Sequence, residues 1–176
     1  MLSLEGVRVV SLAVNLPGPA AAAELWRLGA KVVKVEPPAG DMMELSQPDW
    51  YAELHQGVEI HRLNLKDPAE RRRLDELLEL ADLLLTSNRP SALARLGLGW
   101  EELHARFPGL CQVAIVGYPG KDVDLPGHDL TYQAKLGLLN PPSMPRSLIA
   151  DLGGAQRAVI EAVALLYGRE IGRAHV

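Results

Sequence analysis

Two β-branched runs flanking one alanine-rich segment set the first constraint on this chain. VRVVSLAV at 7–14 reads as a strand that ends in turn residues at 15–19, and the alanine-rich stretch 20–28 has helical spacing. Gly29 supplies a helix stop, and KVVKVE at 31–36 reads as a second strand closed by Pro37-Pro38. Adjacent parallel strands need a long crossover, usually a helix, and that crossover is right-handed by default. A chain that begins this way is expected to build an α/β fold around a mostly parallel sheet.

The remaining pattern extends the alternation. Asp67 is a good N-cap for a helix over 67–80, with Pro68 at its first position and Glu70 three residues after the cap. ADLLLTS at 81–87 reads as a third strand, 101–107 as a short helix, and 110–116 as a fourth strand. The segment 155–169 reads as a last helix, with Val159, Val163 and Leu166 forming its apolar stripe. Residues 39–61 show no clean period. The expected fold is an open, Rossmann-like, mostly parallel sheet with helices on both faces.

Composition narrows the class. With 176 residues, 48% of them hydrophobic and 23% charged, the chain is long enough for one domain with a sizeable core and reads as soluble and globular. A formal net charge of -4 argues against nucleic acid and against an anionic membrane surface. No segment reaches the roughly 18 uninterrupted apolar residues of a membrane span. The N-terminus carries no basic region ahead of a long apolar run, so no signal peptide is expected. The single cysteine, Cys111, cannot form an internal disulfide and reads as a buried structural thiol. A cytoplasmic location is the expectation.

In open parallel sheets, ligands bind beyond the carboxyl ends of the strands. Three such ends carry suggestive loops: NLPGPA at 15–20, EPPAGD at 36–41 and TSNRPS at 86–91. NLPGPA opens a helix, where backbone N–H groups can receive an anion, or it is a plain strand-to-helix turn. No P-loop, no G-x-G-x-x-G and no G-x-S-x-G is present. The histidines, at 55, 61, 104, 128 and 175, show no metal-ligand spacing, so no metal is expected. The arginines at 71–73 read as a solvated helix face. Arg89 and Arg95 stand nearer a strand end, where they are either phosphate partners or merely exposed.

PGHDLTYQAKLG at 126–137 and IADLGGA at 149–155 hold the most reactive candidates, His128 and Asp151. Each has a plain reading as the start of a helix. Facing one cleft, they would instead suit a proton transfer at carbon: one base removes an α-proton from a thioester, helix N–H groups hold the enolate oxygen, and the other base returns the proton to the opposite face.

The sequence resembles the family III CoA-transferases (CaiB/BaiF), and within them the 2-methylacyl-CoA racemase branch. The resemblance is carried by a colinear series: LEGVRVVSL at 4–12, PGPAAAAELWRLGAKVVKVEPPAGD at 17–41, LNLKDP at 63–68, ADLLLTSNRPSALARLGLGWEEL at 81–103, PGHDLTYQAKLGLL at 126–139, and ADLGGA onward at 150–176. It implies an acyl-CoA substrate and no prosthetic group. The family's catalytic aspartate falls on Asp151, as nucleophile in transferases or as one base in racemases, and the histidine of G-H-D falls on His128. The intact GHD favours racemase chemistry over CoA transfer through Asp151 alone. A noncatalytic protein that binds CoA or a partner chain is the reading from another class.

By position, the resemblance brings Leu16, Pro17, Arg89 and Arg95 to the CoA moiety. The family's basic stretch before its L-D-L-K segment is replaced here by QGVEIHR at 56–62. The resemblance further implies that 1–176 is one Rossmann-like portion of a large domain, with the small domain and returning segment absent. A homodimer or a complementary chain is expected as partner.

Overall fold

The computed structural model describes residues 2–174; His175, one of the histidines considered above, lies outside them. Strands β1 (Arg8–Ser11), β2 (Lys31–Glu36), β3 (Glu59–Arg62), β4 (Leu83–Thr86) and β5 (Cys111–Ala114) form one all-parallel sheet in the order β3-β2-β1-β4-β5. The helices are α1 (Pro17–Arg27), α2 (Met42–Ser46), α3 (Pro48–Leu54), α4 (Pro68–Glu79), α5 (Pro90–Arg95), α6 (Trp100–Arg106), α7 (Asp129–Lys135) and α8 (Ile149–Ala174). Strand order reverses between the paired strands β1 and β4, so the connections that leave them run to opposite faces of the sheet and leave a crevice at the carboxyl edge.

Side chains alternate across each strand, which divides the core by sheet face. Val9, Leu83 and Leu85 join Ala21, Ala22 and Leu25 of α1 and Ala155, Ala158, Val159 and Ala162 of α8 on one face. Val10 and Leu84 join Leu74 and Leu78 of α4, Leu93 of α5 and Leu103 of α6 on the other. The expected two-faced α/β layering is therefore present. Alanines on both α1 and α8 let the two helices share the first face closely.

Local signals explain most ends. After α1, Gly29 takes a positive φ of 107°, its N–H bonds Trp26 O, and Ala30 N–H bonds Leu25 O. These bonds complete a Schellman stop. At α4, Asp67 Oδ1 accepts from Ala69 N and Glu70 N, as expected of the cap, whereas the Glu70 carboxylate reaches Asn64 N instead of its own cap residue. Arg71 departs from the solvated-face reading. It pairs with Asp75 and donates to the carbonyls of Leu96 and Gly97, tying α4 to the C-terminal end of α5, where a cation is favoured. Arg72 and Arg73 are exposed. Cys111 is half-buried on the terminal strand of the sheet, less enclosed than expected.

The unreadable segment folds around a buried charge. Lys34 of β2 is 0% exposed, and its ammonium lies 2.6 Å from Asp41 Oδ2, 2.9 Å from Glu36 Oε1 and 2.9 Å from His55 Nε2. His55 Nδ1 is 2.6 Å from Tyr51 O, which can only accept, so that nitrogen carries the proton and Nε2 accepts from Lys34. Burial holds the His55 pKa down, consistent with a neutral ring. Burial raises the Glu36 carboxyl, but donation from Tyr51 and Lys34 outweighs it and the net shift is downward. The Lys34→Met variant should leave these carboxylates buried without their cation. We expect a loss of about 3–5 kcal/mol of unfolding free energy, read by urea denaturation.

Candidate active site

The crevice at the strand-order reversal is built from loops that the core holds rigidly. Val14 N donates to Ser87 Oγ at 2.9 Å, and Ser87 Oγ donates to Val14 O at 3.3 Å, stitching the loop after β1 to that after β4. Asn15 adopts a left-handed φ of 63°, a conformation asparagine tolerates. Its N–H points to Asp41 Oδ1 at 3.4 Å, so the buried Lys34 network reaches the crevice rim. Gly18 admits α1 close against β1, since a Cβ there would come within 2.8 Å of the Ala13 carbonyl carbon.

A cavity of about 450 Å³ occupies this crevice. The loop after β1 contributes Val14, Asn15 and Pro17, and the loop after β4 contributes Ser87. The loop after β5 contributes Ile115 to Pro119, α7 contributes His128, Tyr132, Lys135 and Leu136, and α8 contributes Ala150, Asp151 and Gly154. His128 and Asp151 thus line one cavity. His128 is the residue at the N-cap of α7 and its side chain makes no capping bond. Among the described residues no hydrogen bond engages its ring.

Asp151 is not the cap of its helix. α8 starts at Ile149, six residues earlier than the 155 expected, and runs through Gly153 and Gly154. A glycine pair in sequence reads as a helix boundary, yet Gly154 lines the cavity and a Cβ at either position would meet nothing within 4 Å. The cap is Asp129, from the preceding helix. Its buried Oδ1 accepts from Ala150 N at 2.8 Å and Asp151 N at 3.1 Å, and its Oδ2 accepts from Gln133 Nε2. The N–H groups of Ala150 and Asp151 are therefore occupied and unavailable to an enolate oxygen. Burial first, and then the Asp129 charge, push the Asp151 carboxyl above its ordinary value, while His128 acts against that rise.

Tyr132 forms a wall of the cavity. A Cβ at Gly117 would overlap its hydroxyl, and one at Gly127 would stand 2.6 Å from its ring. Both glycines are therefore required by close approach. A second, more apolar cleft of about 280 Å³ opens on the other sheet face, between Pro37, Pro38, the 63–66 segment, Asn88 and Leu93. It shares Val14 with the first cavity. A smaller depression containing Asn88, Arg89 and His128 joins the two along the rim.

Of the residues selected from sequence, the fold brings Pro17, His128 and Asp151 together and puts Arg89 beside them. Leu16 does not face the cavity; it packs with Ala23, Met43, Tyr51 and Leu54. Arg95 is exposed in the last turn of α5 and lines none of these clefts. The basic groups of QGVEIHR are engaged internally, His61 by Glu59 and Arg62 by Glu44 and Glu36. The roles of Asp129, Tyr132, Gly154 and the 63–66 segment were not read from sequence; only Asp129, beside a candidate histidine, carried a usable signal there. Among the described residues no cluster could hold a metal ion, and no helix is long and apolar enough to cross a membrane.

Comparison with known proteins gives the context. A model of CoA-transferase family III matches residues 4–175. Cinnamoyl-CoA:phenyllactate CoA-transferase of Clostridium sporogenes is 34% identical over 91% of this chain and 43% of its own length. Human alpha-methylacyl-CoA racemase is 32% identical over 96% of this chain and 45% of its own. The crystal structure of the hypothetical protein Rv3272 from Mycobacterium tuberculosis superposes with a TM-score of 0.87, at 27% identity, over 97% of this chain and 51% of that one. The chain spans about half the length of these relatives.

Two outcomes are expected at the site. A carboxyl raised above its ordinary 3.8 binds more protons folded than unfolded. Its stabilising contribution is full below that value and is lost as pH rises through the folded pKa. Asp151→Asn should therefore raise stability by about 1 kcal/mol at neutral pH, with the gain vanishing in acid, read by denaturation across pH. Asp129→Ala should cost about 2 kcal/mol, because the helix cap is lost and the Gln133 amide is orphaned. It should also lower the Asp151 pKa, read by carboxyl-carbon NMR titration. The match over nearly the whole chain, the shared two-faced sheet and the colinear segments agree: this chain belongs to CoA-transferase family III.

Proposed function

We propose that this chain acts at the α-carbon of a 2-methylacyl-CoA thioester, as a racemase that uses His128 and Asp151 as paired bases. The observation that carries this reading is that both side chains line one cavity at the strand-order reversal. Asp151 has its proton affinity raised by burial and by Asp129, which suits a carboxylate that must remove a proton from carbon. Among the described residues nothing engages the His128 ring. One group takes the α-proton and leaves the electron pair as an enolate; the other, protonated, delivers its proton to the opposite face.

The two clefts and the depression between them suit one long ligand. An acyl group in the larger cavity and a nucleotide end in the apolar cleft would be connected past Asn88 and Arg89. Pro17 would border the thioester end, Arg89 the linking segment, and Lys66 the far end. Because Arg62 is already paired, phosphate contacts fall to Lys66 and Arg89. We further infer a partner chain, either a second copy or a complementary one, against α8. Its Ile160, Val163, Tyr167 and Ile171 form an exposed apolar strip, including Val163, which was expected inside.

A second reading, CoA transfer, is favoured by the relatives named as CoA-transferases. There Asp151 would attack the thioester carbonyl and expel the CoA thiolate, giving an acyl anhydride; the thiolate would then attack the aspartyl carbonyl and release the donor acid, giving an aspartyl-CoA thioester, with His128 dispensable. Proton NMR of a 2-methylacyl-CoA in D2O separates the two. Racemase chemistry predicts loss of the α-proton signal, abolished in Asp151→Ala and strongly reduced in His128→Ala. No exchange, with CoA binding intact by calorimetry, would remove the racemase and leave transfer or simple CoA binding.

A further inference from the structure

We propose that His55 is an acid-sensitive latch: when its ring takes a second proton, the end of α3 swings outward and the turn at the mouth of the cavity loses the side chains it packs on. The hydrogen bonds leave no room for that proton. The Lys34 ammonium has three N–H groups, and Asp41 Oδ2, Glu36 Oε1 and His55 Nε2 take one each, at 2.6, 2.9 and 2.9 Å. His55 Nδ1 already donates to Tyr51 O. A proton on Nε2 would set two cationic donors against each other at 2.9 Å. Around the ring, β2 presents Lys34 and Glu36, the cap of α2 presents Asp41, and α3 presents the Tyr51 ring at 4.0 Å. Glu44 of α2 and Arg62 of β3 are paired with each other, and α1 packs here through the uncharged Leu16 and Ala23.

One of the two cations must leave, and the fold decides which. Lys34 is rooted in β2 between two paired strands and is fully buried. His55 stands one residue past the end of α3 and is already 8% exposed, so it has the path to water. Leu54 and Tyr51 travel with it, and both pack on Leu16. Leu16 follows the left-handed Asn15, which borders the cavity, so the release reaches the mouth through one turn. Burial first, together with the Lys34 charge, holds the ring's proton affinity below its ordinary 6.5 against the pull of Tyr51 O. A ring in water regains that ordinary value, so the released state binds more protons than the closed one. Below pH 6.5 the released population grows up to tenfold per pH unit, until the closed ring itself titrates. The latch is independent of which ligand the cavity takes.

NMR of the whole chain between about pH 8 and about pH 4.5 tests this, following the histidine rings, the Leu16 methyl groups and the Asn15 amide. In the unaltered chain all three signals should move with one midpoint, below 6.5, shared with the His55 ring. His55→Gln keeps a neutral acceptor for Lys34 and cannot charge, so Leu16 should stay packed across the range. His128→Gln removes the histidine of the cavity and should leave the Leu16 response in place. A His55 ring that charges while Leu16 stays packed overturns the latch, as does a Leu16 response that survives His55→Gln, or a ring that stays neutral to the lowest pH. Should His55→Gln fail to fold, the unaltered chain still decides: separate midpoints for the ring and for Leu16 overturn the latch, and a shared one supports it.

Discussion

The interaction on which the rest of this structure depends is the burial of the Lys34 ammonium. A buried cation is tolerable only if it is surrounded by acceptors, and here Asp41, Glu36 and a neutral His55 supply them. Each acceptor comes from a different part of the chain. Glu36 ends β2, Asp41 caps α2, and His55 follows α3, so the whole 41–55 segment is drawn over the end of the sheet. Tyr51 closes the ring by donating to Glu36 at 2.7 Å. Because Asp41 also receives the Asn15 N–H, the network fixes the left-handed turn at the mouth of the cavity. A solvation requirement deep in β2 therefore sets the position of a loop that borders the site.

The second dependency runs between α7 and α8. Asp129 satisfies the first N–H groups of α8 with a side chain from another helix, which fixes the spacing of His128, its neighbour in sequence, relative to Asp151. The same carboxylate raises the proton affinity of Asp151 through space. Position and proton affinity are consequently coupled: the contact that holds the helices together also tunes the group between them. Tyr132, lodged against two glycines, forms a wall of that cavity.

Much of the scaffold was legible because burial leaves periodic marks. The runs at 7–14, 31–36, 81–87 and 110–116 are apolar enough to announce buried strands, though each exceeds or equals the hydrogen-bonded length observed. β3 gave no such sign, because EIHR is an edge strand with largely exposed residues, and an edge needs no apolar pattern to pair. α2 and α3 are too short to show a period, and they are held by the Lys34 cluster together with the packing of Met43, Tyr51 and Leu54 against Leu16 and Ala23. The start of α8 was misplaced because Gly153 and Gly154 resemble a boundary, whereas the helix passes through them under a cap supplied from Asp129.

The sequence alone therefore determined the parallel α/β layering, the family and the candidate pair His128 and Asp151, since apolar periodicity and short colinear motifs are local properties. Only the tertiary structure decided that these two residues share a cavity, that Leu16 packs inward, that Arg95 stands outside the clefts, and that Lys34 is buried while Lys135 borders the cavity. Those outcomes depend on which distant groups meet a given side chain, and a lysine written in one dimension carries no mark of whether carboxylates or water will surround it.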